Sequence, residues 1–211
     1  MTTTLTKPPR SARKAKGDGH LRRAEILHAA ERIFVRDGYQ GATIRKIAEE
    51  VGVSSTALYM HFRDKDEILL EICEGAIATL LASNNEISGR PIDAVSRVRL
   101  MLDAYMRFGM ENPNTYRLAF CTPRMQLVGI TGEGPSDLAA RCYDRFMRSV
   151  ADIAAAGRLR LGDADSAAQT LWAACHGLVS LRINHMKPDQ AEDGALMGLM
   201  LDSLFQGMVI D

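Results

Sequence analysis

At 211 residues and 46% apolar, the chain can bury a substantial core, as one domain or as a small domain joined to a larger one. Its 26 basic and 26 acidic side chains cancel, so overall charge selects no partner. Cys73, Cys121, Cys142 and Cys175 stand singly, which argues against a disulfide framework or a zinc site and for a reducing cytosol.

Residues 1–19 are polar and rich in Pro, Thr and Gly. They carry Lys7, Arg10, Arg13, Lys14 and Lys16 against Asp18 alone, which predicts a disordered basic arm. No apolar signal-peptide core is present. The longest apolar run, Ala195 to Ile210, is shorter than the ~20 residues of a membrane span and contains Asp202 and Gln206. A soluble, cytoplasmic protein is the expectation.

Helical periodicity then dominates. Ile26, Ala30, Ile33 and Phe34 form one stripe, ended by Gly38. Ile44, Ile47, Ala48 and Val51 form another, with Thr43 as N-cap. A short helix over Ser55–Phe62 follows, and Asp64 caps a longer one carrying Ile68, Leu69 and Ile72 toward Ser88. Further helices are predicted over 92–111, 115–121, 136–156, 163–186 and 190–208, with a Gly/Pro-broken loop over 122–137. The fold expected is all-α: nine helices, with a unit of short helices over 20–66 and a larger helical unit over 67–211.

The second and third helices, joined by Gly52-Val53-Ser54, read as a helix-turn-helix. Leu58 and Phe62 point together toward the other stripes. Ser55, Thr56 and Tyr59 lie on the opposite side, a small hydrogen-bonding face suited to the base edges of a DNA major groove. Thr43, His61, Lys65 and the helix start at 64–66 are candidate phosphate contacts, and Arg45 faces outward toward a guanine or a phosphate. Each has a plainer alternative: Thr43 as a cap, Tyr59 as a core aromatic, His61 on a backbone carbonyl, Arg45 as a solvated charge.

The span "AEILHAAERIFVRDGYQGATIRKIAEEVGVSSTALYMHFRDKDEIL" resembles the TetR (tetracycline-repressor-like) family of bacterial transcription regulators. Its elements are "GY…T", "I…IA…GVS" and "LYxHFxxKxxL". The resemblance implies base or groove contacts from Arg45, Ser55, Thr56, Ala57 and Tyr59, and phosphate contacts from Thr43, His61 and Lys65. Farther on, "LWAACHGLVSL" resembles a C-terminal type named for its Trp-His-Gly motif, here Trp172, His176 and Gly177. That implies a helical sensor half.

The last two helices are apolar nearly all round and need cover on several sides. A homodimer joined through them, reading a pseudo-palindromic double-stranded DNA operator, meets that need. Tyr105, Met106, Phe120, Met125, Trp172 and His176 are the candidate effector contacts, an adaptable apolar surface with one polar group. Methionines and Trp172 as ordinary core filler, and Gly177 as a close-approach glycine, are the alternatives. No metal or cofactor is implied. An enzyme is disfavoured: no H-E-x-x-H, P-loop or G-x-S-x-G is present, and Cys175 and His176 are adjacent helix residues pointing about 100° apart. A DNA-binding dimer without a small-molecule effector is the second reading, its C-terminal half serving dimerisation or a protein partner. A nonspecific nucleoid binder is the third.

Overall fold

A computed structural model describes residues 19–122, 137–160, 162–184 and 192–210. Its elements are α1 (Gly19–Gly41), α2 (Ile44–Val51), α3 (Ser55–Tyr59), α4 (Lys65–Ser88), α5 (Ala94–Glu111) and α6 (Pro113–Tyr116). A π-helical turn (Arg117–Cys121) continues α6, and α7 (Asp137–Ala155), α8 (Ala164–Ile183) and α9 (Asp193–Met208) complete the fold. The only β pairing among the described residues is an isolated bridge between Leu159 and Val209. The fold is all-α, as expected. The basic arm to residue 18 and the 123–136 segment lie outside the described residues.

Local chemistry explains most boundaries. Thr43 Oγ1 accepts from the Lys46 amide at 3.2 Å, and Asp64 Oδ1 accepts from the Glu67 amide at 2.8 Å, so both expected N-caps are present. Ser54 and Asp163 cap α3 and α8 in the same way. The α1 backbone breaks at Gly38, where φ is 70°. Gly52 ends α2 in the left-handed region. Its amide reaches Glu49 O at 3.1 Å and the Val53 amide reaches Ala48 O at 2.9 Å, the paired bonds of a Schellman end.

Several expected boundaries move. The helices expected over 92–111, 163–186 and 190–208 run Ala94–Glu111, Ala164–Ile183 and Asp193–Met208. Two further shifts bear on the site. Helix α3 stops at Tyr59 rather than Phe62. The Met60 and His61 amides bond three residues back, to Ala57 O and Leu58 O, and this tightened end turns Phe62 into the core. The segment expected at 115–121 begins earlier, with Pro113 in the first turn of α6, and becomes π-helical after Tyr116.

The buried side chains form two clusters. One gathers Ile26, Ile33, Phe34, Ile47, Leu58, Phe62, Ile68 and Ile72 from α1–α4. The other gathers Leu80, Met101, Met106, Tyr116, Phe146, Val150, Cys175, Val179 and Leu201 from the later helices. Helix α4 runs through both, with α7 and α5 packed along its far part. One residue crosses the sequence order: Leu118 of the π-helical turn is buried in the first cluster. Helices α5 and α8 approach closely at Gly109, where a Cβ would fall 2.4 Å from Val179 Cγ1.

Candidate DNA-binding face and effector site

A five-residue helix has no stability of its own in water. Helix α3 is held by Leu58 and Phe62, both fully buried, whose burial contributes roughly 3–6 kcal/mol together. Arg23 of α1 fixes the end of this helix: its guanidinium donates to the His61 carbonyl and to Glu71 of α4, and stacks 4.0 Å from the Phe62 ring centroid. With Leu58 and Phe62 turned in, Thr56, Ala57 and Tyr59 are turned out. Tyr59 is 55% exposed, which answers the core alternative for that ring. Ser55 and His61 are half-buried beside them.

The cations around this face are already engaged. Arg45 pairs with Glu49 at 3.1 Å, Arg63 with Asp64 at 2.9 Å, and Lys46 with Asp37 at 2.6 Å. Lys65 was expected on a phosphate. Its ammonium donates to the carbonyls of Tyr39 (2.8 Å) and Ala42 (3.3 Å) and lies 4.1 Å from the Tyr39 ring centroid. It therefore ties the turn after α1 to the start of α4, leaving one of its three protons for another acceptor.

The α4 start, expected as an anion site, is filled by the chain's own carboxylates. Asp64 caps it, Glu67 accepts from the Arg63 amide at 2.6 Å, and Asp66 accepts from the Tyr39 hydroxyl. The Glu67 amide, with the Arg63 guanidinium, holds the Asp64 carboxyl below its ordinary range. Thr43 is exposed and caps α2, so both of its readings remain compatible.

In the larger unit three polar groups meet among aromatic rings. The Tyr116 hydroxyl lies 2.7 Å from His176 Nδ1 and 2.8 Å from the Tyr105 hydroxyl, which is 3.2 Å from the same Nδ1. Burial pushes Tyr105 up to about 12 and Tyr116 up as well, and lowers His176. Both phenols therefore keep their protons at neutral pH. With the imidazole proton on Nε2, Tyr116 would donate to Nδ1 and Tyr105 to Tyr116; with the proton on Nδ1, the imidazole would donate to a phenol oxygen instead. Phe120 packs 5.7 Å and 5.0 Å from the Tyr105 and Tyr116 rings.

Trp172 and His176 share a face, as expected, with ring centroids 6.0 Å apart, and Tyr143 of α7 meets Trp172 edge-on at 6.1 Å. Met106 is fully buried in the same cluster. Met125 lies outside the described residues. Tyr143 and the polar role of Tyr116 were missed by sequence reasoning; the "NPNTYRLAF" aromatics carried the second signal, and nothing in the helical pattern marked the first. A Cβ at Gly177 would meet no other helix within 4 Å among the described residues, so they do not make the close approach expected there. The Cys175 thiol is pushed up to about 12 by burial, the reverse of an activated nucleophile.

Comparison with known proteins gives two family profiles, two curated relatives and one solved structure. Residues 26–72 match the profile described as bacterial regulatory proteins, tetR family, and residues 98–204 match that of a tetracyclin repressor-like C-terminal domain, a broader description than the Trp-His-Gly type. The chain is 30% identical over 142 residues to the nucleoid occlusion factor SlmA of Vibrio cholerae, covering 67% of this chain and 70% of that protein. It is 32% identical over 99 residues to the HTH-type transcriptional activator FasR of Mycolicibacterium smegmatis, covering 47% of this chain and 45% of FasR, less than half that protein's length. A solved structure described as the molecular basis for control of antibiotic production by bacterial hormones superposes with a TM-score of 0.67 at 26% identity, covering 89% of this chain and 97% of that one.

Proposed function

Since the chain belongs to the tetR family of bacterial regulatory proteins, we propose that it is a sequence-specific DNA-binding transcription regulator, a repressor released from its operator by a small, largely apolar ligand. The observation that carries the DNA-binding part is the split of α3: Leu58 and Phe62 are buried, while Thr56, Ala57 and Tyr59 face solvent. Arg45, Ser55, Thr56, Ala57 and Tyr59 would face the groove. Thr43, His61 and the remaining Lys65 proton would meet phosphates. Residues 20–66 form the DNA-binding unit and 67–211 the sensing and dimerising unit.

The dimer forms through α8 and α9. Both carry apolar side chains that the protomer leaves open, with Trp172 at 40% and Leu199 at 64% exposure. The effector enters among Tyr105, Met106, Phe120, Trp172 and His176. The route back to DNA is short: Tyr116 and Phe120 contact the His176 cluster, and Leu118 between them sits in the DNA-binding core. A ligand that repositions this turn changes the seating of α4 and thus the spacing of two recognition helices. It needs only to bind the incompetent spacing better; a 100-fold preference corresponds to ~2.7 kcal/mol of coupling.

The test is selection of genomic fragments by the purified protein, titration of the best fragment at two salt concentrations, and repetition with an apolar ligand library. One tight pseudo-palindromic site that a ligand weakens supports the reading. Weak binding spread over all fragments refutes it. A second reading keeps the operator but gives the C-terminal half to a protein partner. It is favoured by the Tyr105–Tyr116–His176 network, whose polar atoms already lie within hydrogen-bonding distance of one another. A tight site that no ligand weakens decides for it.

A further inference from the structure

The outward face of α3 is more apolar than its sequence suggests. Met60, which closes the helix, is 82% exposed, more than any other large hydrophobic side chain among the described residues. Helical spacing puts Met60 one turn after Thr56 and Ala57, both exposed, so a Thr methyl, an Ala methyl and a thioether form one continuous strip. Beside it stands Tyr59. None of the described residues covers Met60, although Phe62 two residues on is fully buried. The fold therefore had an adjacent core available and did not use it for Met60. An unbranched, polarisable thioether adapts to a shallow apolar partner. In a major groove the one apolar feature of a base edge is the thymine 5-methyl group.

We propose that Met60, together with Ala57, is a specificity-determining residue that reads a thymine methyl in each operator half-site. This rests on the DNA-binding reading above and assigns to that face a contact that hydrogen-bonding residues cannot supply. Arg63, three residues on, pairs with Asp64 at 2.9 Å.

The experiment uses the full-length protein and the fragment it selects. Each thymine of one half-site is replaced in turn by deoxyuridine, which removes only the methyl group. Wild type should lose about fourfold in affinity at one or two thymines, the equivalent of the roughly 0.8 kcal/mol of one buried methylene-sized group. Replacing the same T·A pair by a 5-methylcytosine·G pair should be tolerated better than replacing it by C·G.

Met60→Ala should bind the natural fragment about fourfold more weakly and be indifferent to deoxyuridine at that position, whereas Met60→Leu should keep the sensitivity. Because Met60 is exposed, both variants should keep the wild-type melting temperature. Deoxyuridine tolerated everywhere by wild type, or a sensitivity unchanged in Met60→Ala, overturns the proposal while leaving specific DNA binding intact. A protein that selects no specific fragment overturns both.

Discussion

Tyr59 and His176 are the two residues whose chemistry makes the sharpest demands. Tyr59 is half in the open and closes no core gap, so Tyr59→Ala should weaken operator binding about tenfold or more and leave the melting temperature within a degree or two. Fluorescence anisotropy beside a thermal melt checks both. Concurrent loss of folding would return the ring to the core.

His176 titrates below its ordinary 6.5 because burial disfavours the imidazolium. The unfolded chain therefore binds the proton more readily than the folded one. No penalty exists above pH 6.5. It develops as pH falls through 6.5 toward the lower folded value, so stability should decline in that window. His176→Gln, whose amide oxygen can still accept from Tyr116, should flatten that part of a stability–pH curve. An unchanged slope would place the titration elsewhere. The pairing of Trp172 with His176 was legible, since four-residue spacing on a helix fixes it. The two tyrosines that complete the network come from α5 and α6, and no local pattern joins positions so far apart in sequence.

At the scale of elements, helix starts were legible wherever a side chain caps a backbone. Thr43 and Asp64 were read as caps because an oxygen two or three residues before an amide is local chemistry. Lys65 was read from its charge and from the "LYxHFxxKxxL" resemblance, neither of which shows that its ammonium also holds the turn after α1. The π-helical turn was not legible at all, because an extra residue per turn leaves the apolar spacing of "TYRLAFC" still helix-like.

That turn makes the two cores interdependent, since Leu118 fills the first while Tyr116 and Phe120 pack in the second. Leu118→Ala should cost about 2–5 kcal/mol. Trp172, the single tryptophan, reports only on the sensing half. Its fluorescence midpoint in urea should nevertheless fall with the substitution. An unmoved midpoint would mean that the cores melt separately.

For the whole molecule, the sequence made the all-α class and the short-helix-first order plain, because periodicity and caps are local signals. It left the assembly to inference from helices too apolar for one partner. The protomer sharpens that inference: Leu199 of α9 is 64% exposed, and Gly177 of α8 has open space over it. Leu199→Asp should therefore shift the protein to monomer in sedimentation experiments and weaken operator binding with it, while the monomer stays helical by circular dichroism. A dimer unaffected by this change would move the interface off α9.

The ion pairs beside the recognition helix have a consequence in time rather than in affinity. Arg45, Lys46 and Arg63 each hold a carboxylate of the same chain. At a distance, this part of the protein presents dipoles to DNA instead of bare positive charge. Long-range attraction accelerates encounter and lengthens sliding on unrelated sequence, and both depend on uncompensated cations. With those cations pre-paired, they would add less to long-range attraction and counterion release at first contact than bare charges would. Surface pairs of this kind are weak, so phosphates brought close by DNA would compete with Glu49, Asp37 and Asp64 for these cations. Freeing Arg45 by Glu49→Gln should therefore lengthen residence on random duplex more than on the operator, which dissociation kinetics on the two DNAs would read.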